Sequence, residues 1–136
     1  MIEKKNYKSR RETLRILLAE DEDIYQQIIK KIIESFGLHI TIVENGNNCI
    51  TEARNHAYDI ILMDIEMPQK NGYETTRELR EKGINVPVIA VTSNTWKEER
   101  IKSKQSGMND FLPKPVNRKK LEKIIKYWSK RSKAGI

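Results

Sequence analysis

Apolar positions follow two different periods along this chain. Short apolar runs at "RILLAE" (15–20), "HITIVE" (39–44), "DIILMD" (59–64), "VPVIAVTS" (86–93) and "DFLPKP" (110–115) read as strands. Between them the spacing changes to that of a helix. Ile24, Ile28, Ile29, Ile32, Ile33 and Phe36 recur at three and four residues, and Gly37 closes that segment. Residues 47–57 form a modest helix with Ile50 and Ala53. Residues 72–82 form another, stopped by Gly83, and 95–106 a polar one, closed by Gly107. Leu121, Ile124, Ile125 and Trp128 mark a last amphipathic helix. The pattern is a strand and a helix, repeated five times. Apolar strands joined by crossover helices predict an α/β protein with a doubly wound parallel sheet covered on both faces.

Composition narrows the class. The chain has 136 residues, enough for one domain with a core of its own. No apolar run is long enough to span a bilayer, and "MIEKKNYKSRRET" lacks the apolar centre of a signal peptide. Cys49 is the only cysteine, which excludes an internal disulfide and a cysteine-based zinc site. A cytoplasmic location is the expectation. The net charge of +7 sits at the two ends: residues 1–14 carry +3 and residues 117–136 carry +7, leaving −3 for the body. That distribution predicts solvated basic ends, not a nucleic-acid surface. We expect a basic extension over 1–13, a folded unit over 14–130 and a tail over 131–136.

In open α/β sheets, ligands bind beyond the carboxyl ends of the strands. Those ends carry the chemistry. The first strand ends in Glu20-Asp21, the third in Asp64, the fourth in Thr92-Ser93 and the fifth in Lys114. Three converging carboxylates repel each other, and a hard divalent cation relieves the repulsion. Mg²⁺ suits a few carboxylates with several retained waters. A carboxylate is also a nucleophile toward phosphorus. The incoming phosphoryl oxygens then need neutralising, and Mg²⁺, Lys114 and Thr92 can each take one. This reading expects Asp64 to be exposed at its strand end and paired through a metal and a lysine.

The stretches "ILLAEDE", "IILMDIEMPQKNGYE", "VIAVTSN" and "GMNDFLPKPV" together resemble the receiver domains of two-component signalling, over roughly residues 14–130. They look most like the receivers of hybrid sensor histidine kinases. The resemblance implies a flavodoxin-like fold with strand order 2-1-3-4-5 and five helices, an order the general rule for such sheets attaches to a member of this family. It implies Asp64 as phosphoacceptor, with Glu20, Asp21, Asp64 and the Glu66 backbone carbonyl holding Mg²⁺. Thr92, Ser93 and Lys114 would bind the phosphoryl group, and Thr92 and Phe111 would form a switch. Glu20 stands where many members have Asp, and Phe111 lacks a hydroxyl, so its switching would rest on packing. A cis bond before Pro115 is also implied. The expected partners are a histidine kinase or a histidine phosphotransfer protein. Neither nucleic acid nor membrane is contacted directly, and a weak homodimer would use the face of the fourth helix, fifth strand and fifth helix.

Two rivals fit less well. "DIE" resembles the nucleophile motif of haloacid-dehalogenase-type phosphatases, but there the metal-binding acids follow the nucleophile strand, and here they precede it. A DNA-binding regulator would need an output domain that these residues do not hold. The domain itself is expected to accept a phosphoryl group rather than turn over substrate. Its context is either a hybrid histidine kinase, with the parent chain tethered to the membrane, or a stand-alone regulator. His39, His56 and Cys49 read as structural, as do Pro68 and Pro115.

Overall fold

The structure is a computed structural model and describes residues 14–134. Its elements are β1 (Arg15–Ala19), α1 (Asp23–Ser35), β2 (His39–Val43), α2 (Gly46–Asn55), β3 (Ile60–Asp64), α3 (Gly72–Glu81), β4 (Val88–Thr92), α4 (Lys97–Gln105), β5 (Asp110–Pro113) and α5 (Arg118–Ala134). The strands form one parallel sheet in the order β2-β1-β3-β4-β5. The fold expected from the sequence is therefore the one found. The basic extension over 1–13 and residues 135–136 lie outside the described residues. The last helix runs to Ala134, into the segment read as a tail.

Alternation along each central strand divides the core in two. On one face Ile16, Leu18, Ile60, Leu62, Ile89 and Val91 meet Ile29 and Ile33 of α1 and Leu121 and Ile125 of α5. On the other face Leu17, Ala19, Ile61, Met63, Val88 and Ala90 meet Cys49 and Ile50 of α2 and Leu79 of α3. Both faces of β3 and β4 are buried, which is why their sequences are unbroken apolar runs. Full burial of each such side chain stabilises the fold by about 2 kcal/mol. The edge strand β2 is only half-buried.

Helix ends follow local chemistry. Asn45 caps α2 by accepting from the Asn48 amide at 2.8 Å. Asn71 and Glu74 form a capping box at the start of α3. Beyond the far end of α3, the Arg80 guanidinium donates to the carbonyls of Ile84, Val86 and Gly107 and to Asn109 Oδ1, at 2.8–3.0 Å. Gly107, at φ 102°, lies where a Cβ would come within 2.9 Å of Arg80. Helix α4 is the least anchored, with Ser103 its one buried residue. Helix α5 is tied to the start of β5 by a hydrogen bond from Trp128 Nε1 to Asp110 Oδ2 at 2.8 Å. The other tryptophan, Trp96, precedes α4 and is 72% exposed. No helix among the described residues is long and apolar enough to cross a membrane.

Candidate functional site

The strand order sets β3 between β1 and β4, so Asp64 ends the central strand. Glu20 and Asp21 follow β1 on one side of it, and Thr92 ends β4 on the other. Lys114 follows β5, beyond Thr92, and its amide donates to the Thr92 carbonyl at 2.8 Å. Its long side chain reaches back under the edge to the acids. The ammonium lies 3.0 Å from Glu20 Oε1, 3.6 Å from Asp64 Oδ1 and 3.9 Å from Glu22 Oε1. Carboxylate oxygens of Glu20, Asp21 and Asp64 all fall within 4.8 Å of one another.

One expectation needs correcting. Asp64 is not exposed: it is 3% accessible, and Glu20 is wholly buried. Of the three acids only Asp21 faces solvent. Burial, then the neighbouring Glu20 charge, pushes the Asp64 carboxyl up to about 8. Lys114 and the Glu66 amide, which donates to Asp64 Oδ1 at 3.2 Å, oppose that rise. For Lys114, burial acts to lower the pKa, but Glu20, Asp64 and Glu22 outweigh it and the net shift is upward.

The acids fit a hard cation. Glu20 Oε1 is buried, with the charge of Lys114 beside it but no hydrogen bond of ordinary geometry. Its other oxygen accepts from the Glu22 amide at 3.1 Å. Three carboxylates facing one ammonium leave negative charge uncompensated, and oxygen ligands of this kind suit Mg²⁺.

The remaining residues are distributed unevenly. Thr92 is buried, and its hydroxyl oxygen accepts from the Asn94 amide at 3.1 Å. Ser93 is exposed. Phe111 is half-buried against the second core face, with the Arg100 guanidinium 5.3 Å from its ring centroid. Glu66 is exposed, and the Lys114–Pro115 peptide is cis.

Three features escaped the sequence reading. Glu22, at the start of α1, stands near Lys114. The Tyr25 ring lies against the same ammonium. Gly72, the first residue of α3, packs on the site itself: a Cβ there would come within 2.6 Å of the Asp64 carbonyl oxygen and 2.8 Å of Ile65 Cα. The Gly72 amide also donates to the Ile65 carbonyl at 2.8 Å, which folds the loop after β3 back onto the strand end. A glycine eight residues after a strand-end acid is the signal that pointed to it.

Comparison with known proteins gives a consistent picture. The sequence pattern described as the response regulator receiver domain matches residues 16–126. Hybrid signal transduction histidine kinase I of Dictyostelium discoideum is 38% identical over 120 residues, covering 82% of this chain. The chain spans only 7% of the length of that kinase. Among solved structures, the receiver domain of the Pseudomonas aeruginosa sensor histidine kinase PA1611 superposes with a TM-score of 0.80 at 39% identity. The match covers 86% of this chain and 98% of that one, which holds a magnesium ion in its active-site cleft. The Saccharomyces cerevisiae complex of the histidine phosphotransfer protein Ypd1 with the receiver domain of Ssk1 gives a TM-score of 0.81 at 25% identity, covering 86% and 89%.

Proposed function

This chain belongs to the response regulator receiver domain family, and from that premise we propose that Asp64 is its phosphoacceptor. One observation carries the assignment: the oxygens of Glu20, Asp21 and Asp64 converge within 4.8 Å, with the Lys114 ammonium 3.6 Å from Asp64. That is the arrangement a carboxylate nucleophile needs when its target is an anionic phosphoryl group.

The donor is a phosphohistidine, on a histidine kinase or a histidine phosphotransfer protein. The Ypd1 complex of a similar receiver supports that class of partner. An Asp64 carboxylate oxygen attacks phosphorus, an O–P bond forms and the P–N bond breaks. The bonding pair stays with the ring nitrogen, which leaves as neutral imidazole when the other ring nitrogen carries a proton. Lys114 and the Thr92 hydroxyl hold the phosphoryl oxygens, and exposed Ser93 leaves room beside them. Glu20, Asp21, Asp64 and the Glu66 carbonyl are the residues that would hold Mg²⁺. When bound, that ion offsets the negative charge gathered on the carboxylates and the phosphoryl group.

The output is a change in the face formed by α4, β5 and α5. Thr92 moves toward the added charge, and Phe111 turns into the space released. The light anchoring of α4 and the half-burial of Phe111 support this. We assign the receiver to residues 14–130, within a hybrid histidine kinase whose membrane anchor lies elsewhere in its chain. The alternative is a stand-alone regulator. The kinase I similarity, with its low share of that protein's length, supports the hybrid context.

The test is intact mass after incubation with acetyl phosphate, with and without Mg²⁺. One phosphoryl group should be gained only with Mg²⁺, and Asp64→Asn should gain none. A gain that persists in Asp64→Asn overturns the assignment.

A further inference from the structure

Tyr25 is the third residue of α1 and is half-buried. The Lys114 ammonium sits over its ring, 4.0 Å from the centroid. The lysine side chain is only 6% exposed, so the ammonium is enclosed by Glu20, Asp64, Glu22 and this ring. The ring's place is set by the backbone: the neighbouring Gln26 donates from Nε2 to the Glu20 carbonyl at 2.7 Å, fixing the first turn of α1 to the end of β1.

An aromatic face attracts a cation through its quadrupole, and more strongly when water is excluded. It differs from a carboxylate in two ways: it brings no charge that must be neutralised, and it offers no single directed acceptor. A cation can shift across it while keeping the attraction. A fourth acid in this place would hold the ammonium fast, and an aliphatic side chain would give it nothing in return for lost water.

We infer that Tyr25 is a positioning residue for phosphoryl transfer: its ring keeps the Lys114 ammonium dry while that ammonium exchanges Glu20 for a phosphoryl oxygen on Asp64. The inference rests on Asp64 being the phosphoacceptor. It adds a side chain on α1 to a site otherwise built at the strand ends.

The experiment compares Tyr25→Leu and Tyr25→Phe with the parent chain in acetyl phosphate kinetics with Mg²⁺. Tyr25→Leu should lower the maximal rate on the order of tenfold, with the half-saturating donor concentration unchanged. Tyr25→Phe should recover most of that loss. Adding Tyr25→Leu to Lys114→Ala should cost nothing further. Proton NMR supplies a readout that needs no transfer: the Lys114 ε-methylene should be shifted upfield by the ring and return to its ordinary position in Tyr25→Leu. A Tyr25→Leu chain as fast as the parent, or an unshifted Lys114 methylene in the parent, overturns the inference. So does a Tyr25→Phe chain as slow as Tyr25→Leu, which would point to the hydroxyl. A parent that gains no phosphoryl group while its Lys114 methylene is shifted overturns the phosphoacceptor assignment and the kinetic claim together.

Discussion

The Lys114 ammonium lies closer to Glu20 than to Asp64, at 3.0 Å against 3.6 Å. Its shortest contact is thus with the acid after β1, and it stands as counter-charge to two buried carboxylates at once. Lys114→Ala leaves both without that charge. Loss of one partner from a buried ion pair costs about 3–5 kcal/mol. We expect a lower melting temperature for Lys114→Ala in Mg²⁺-free buffer, and a larger rise on adding Mg²⁺ than the parent shows. A Mg²⁺-induced rise smaller than the parent's would contradict this electrostatic account.

Asp64→Asn acts in the opposite direction. Burial and Glu20 push Asp64 up to about 8, so at neutral pH the folded chain must hold on this carboxyl a proton that the unfolded chain has lost, and the amide removes that cost without changing the shape. Metal-free Asp64→Asn should be more stable than the parent at neutral pH by about 2 kcal/mol. Urea unfolding in EDTA measures it. Equal or lower stability would mean that the carboxylates are less strained than their burial implies.

Phosphorylation should be felt on one side of the molecule. With beryllofluoride bound, amides at 92–96, at 108–116 and at the start of α5 should shift, while those of α2 should barely move. Backbone NMR reads this directly. The switch is refuted if the largest shifts outside the site fall on residues 47–57, or if Phe111→Ala leaves the pattern unchanged.

Arg80 staples the end of α3 to the loops that lead into β4 and β5. Arg80→Ala leaves carbonyls of Ile84, Val86 and Gly107 without this donor, at a cost of about 3 kcal/mol. Lysine lacks the planar fork that spans them, so Arg80→Lys should restore little. Thermal unfolding of both variants decides the point: full recovery with lysine would show that only charge matters there.

Tyr73 predicts behaviour at alkaline pH. Its hydroxyl donates to the Glu99 carboxylate across α3 and α4, and burial, then that bond, pushes its pKa from 10.0 up to about 12. The folded chain therefore holds this proton more tightly than the unfolded chain. The stability this contributes is complete below pH 10 and is lost as pH rises toward 12. Tyr73→Phe should flatten that part of the stability profile and cost about 1–3 kcal/mol at neutral pH. An unchanged alkaline slope would exclude Tyr73 as its source.

The sheet was legible because its strands are parallel and covered on both sides, so β3 and β4 appear as unbroken apolar runs. Glycines 37, 83 and 107 marked helix ends correctly. The positions of the acids, Thr92 and Lys114 were legible for a related reason: the last residue of a strand, or the one or two after it, must lie at the sheet edge. Burial of Asp64 was not legible, because it depends on tertiary neighbours such as Lys114 and the fold-back of the loop after β3, which the periodicity does not encode. Tyr25 was missed for the same reason. Its position is one helical turn past Asp21, but its meeting with Lys114 joins the first helix to the last strand across the sheet.

The two tryptophans give the protein an optical readout of its own. Trp96 stands in water just before α4, whereas Trp128 is half-buried and hydrogen-bonded to Asp110 at the foot of β5. Their emission should therefore separate, a red, quencher-sensitive component from Trp96 and a bluer, shielded one from Trp128. A dissolved quencher such as iodide would silence the first and leave the second. Rearrangement of the loop before α4 and detachment of α5 can then be followed as two colours in one cuvette, with no label attached.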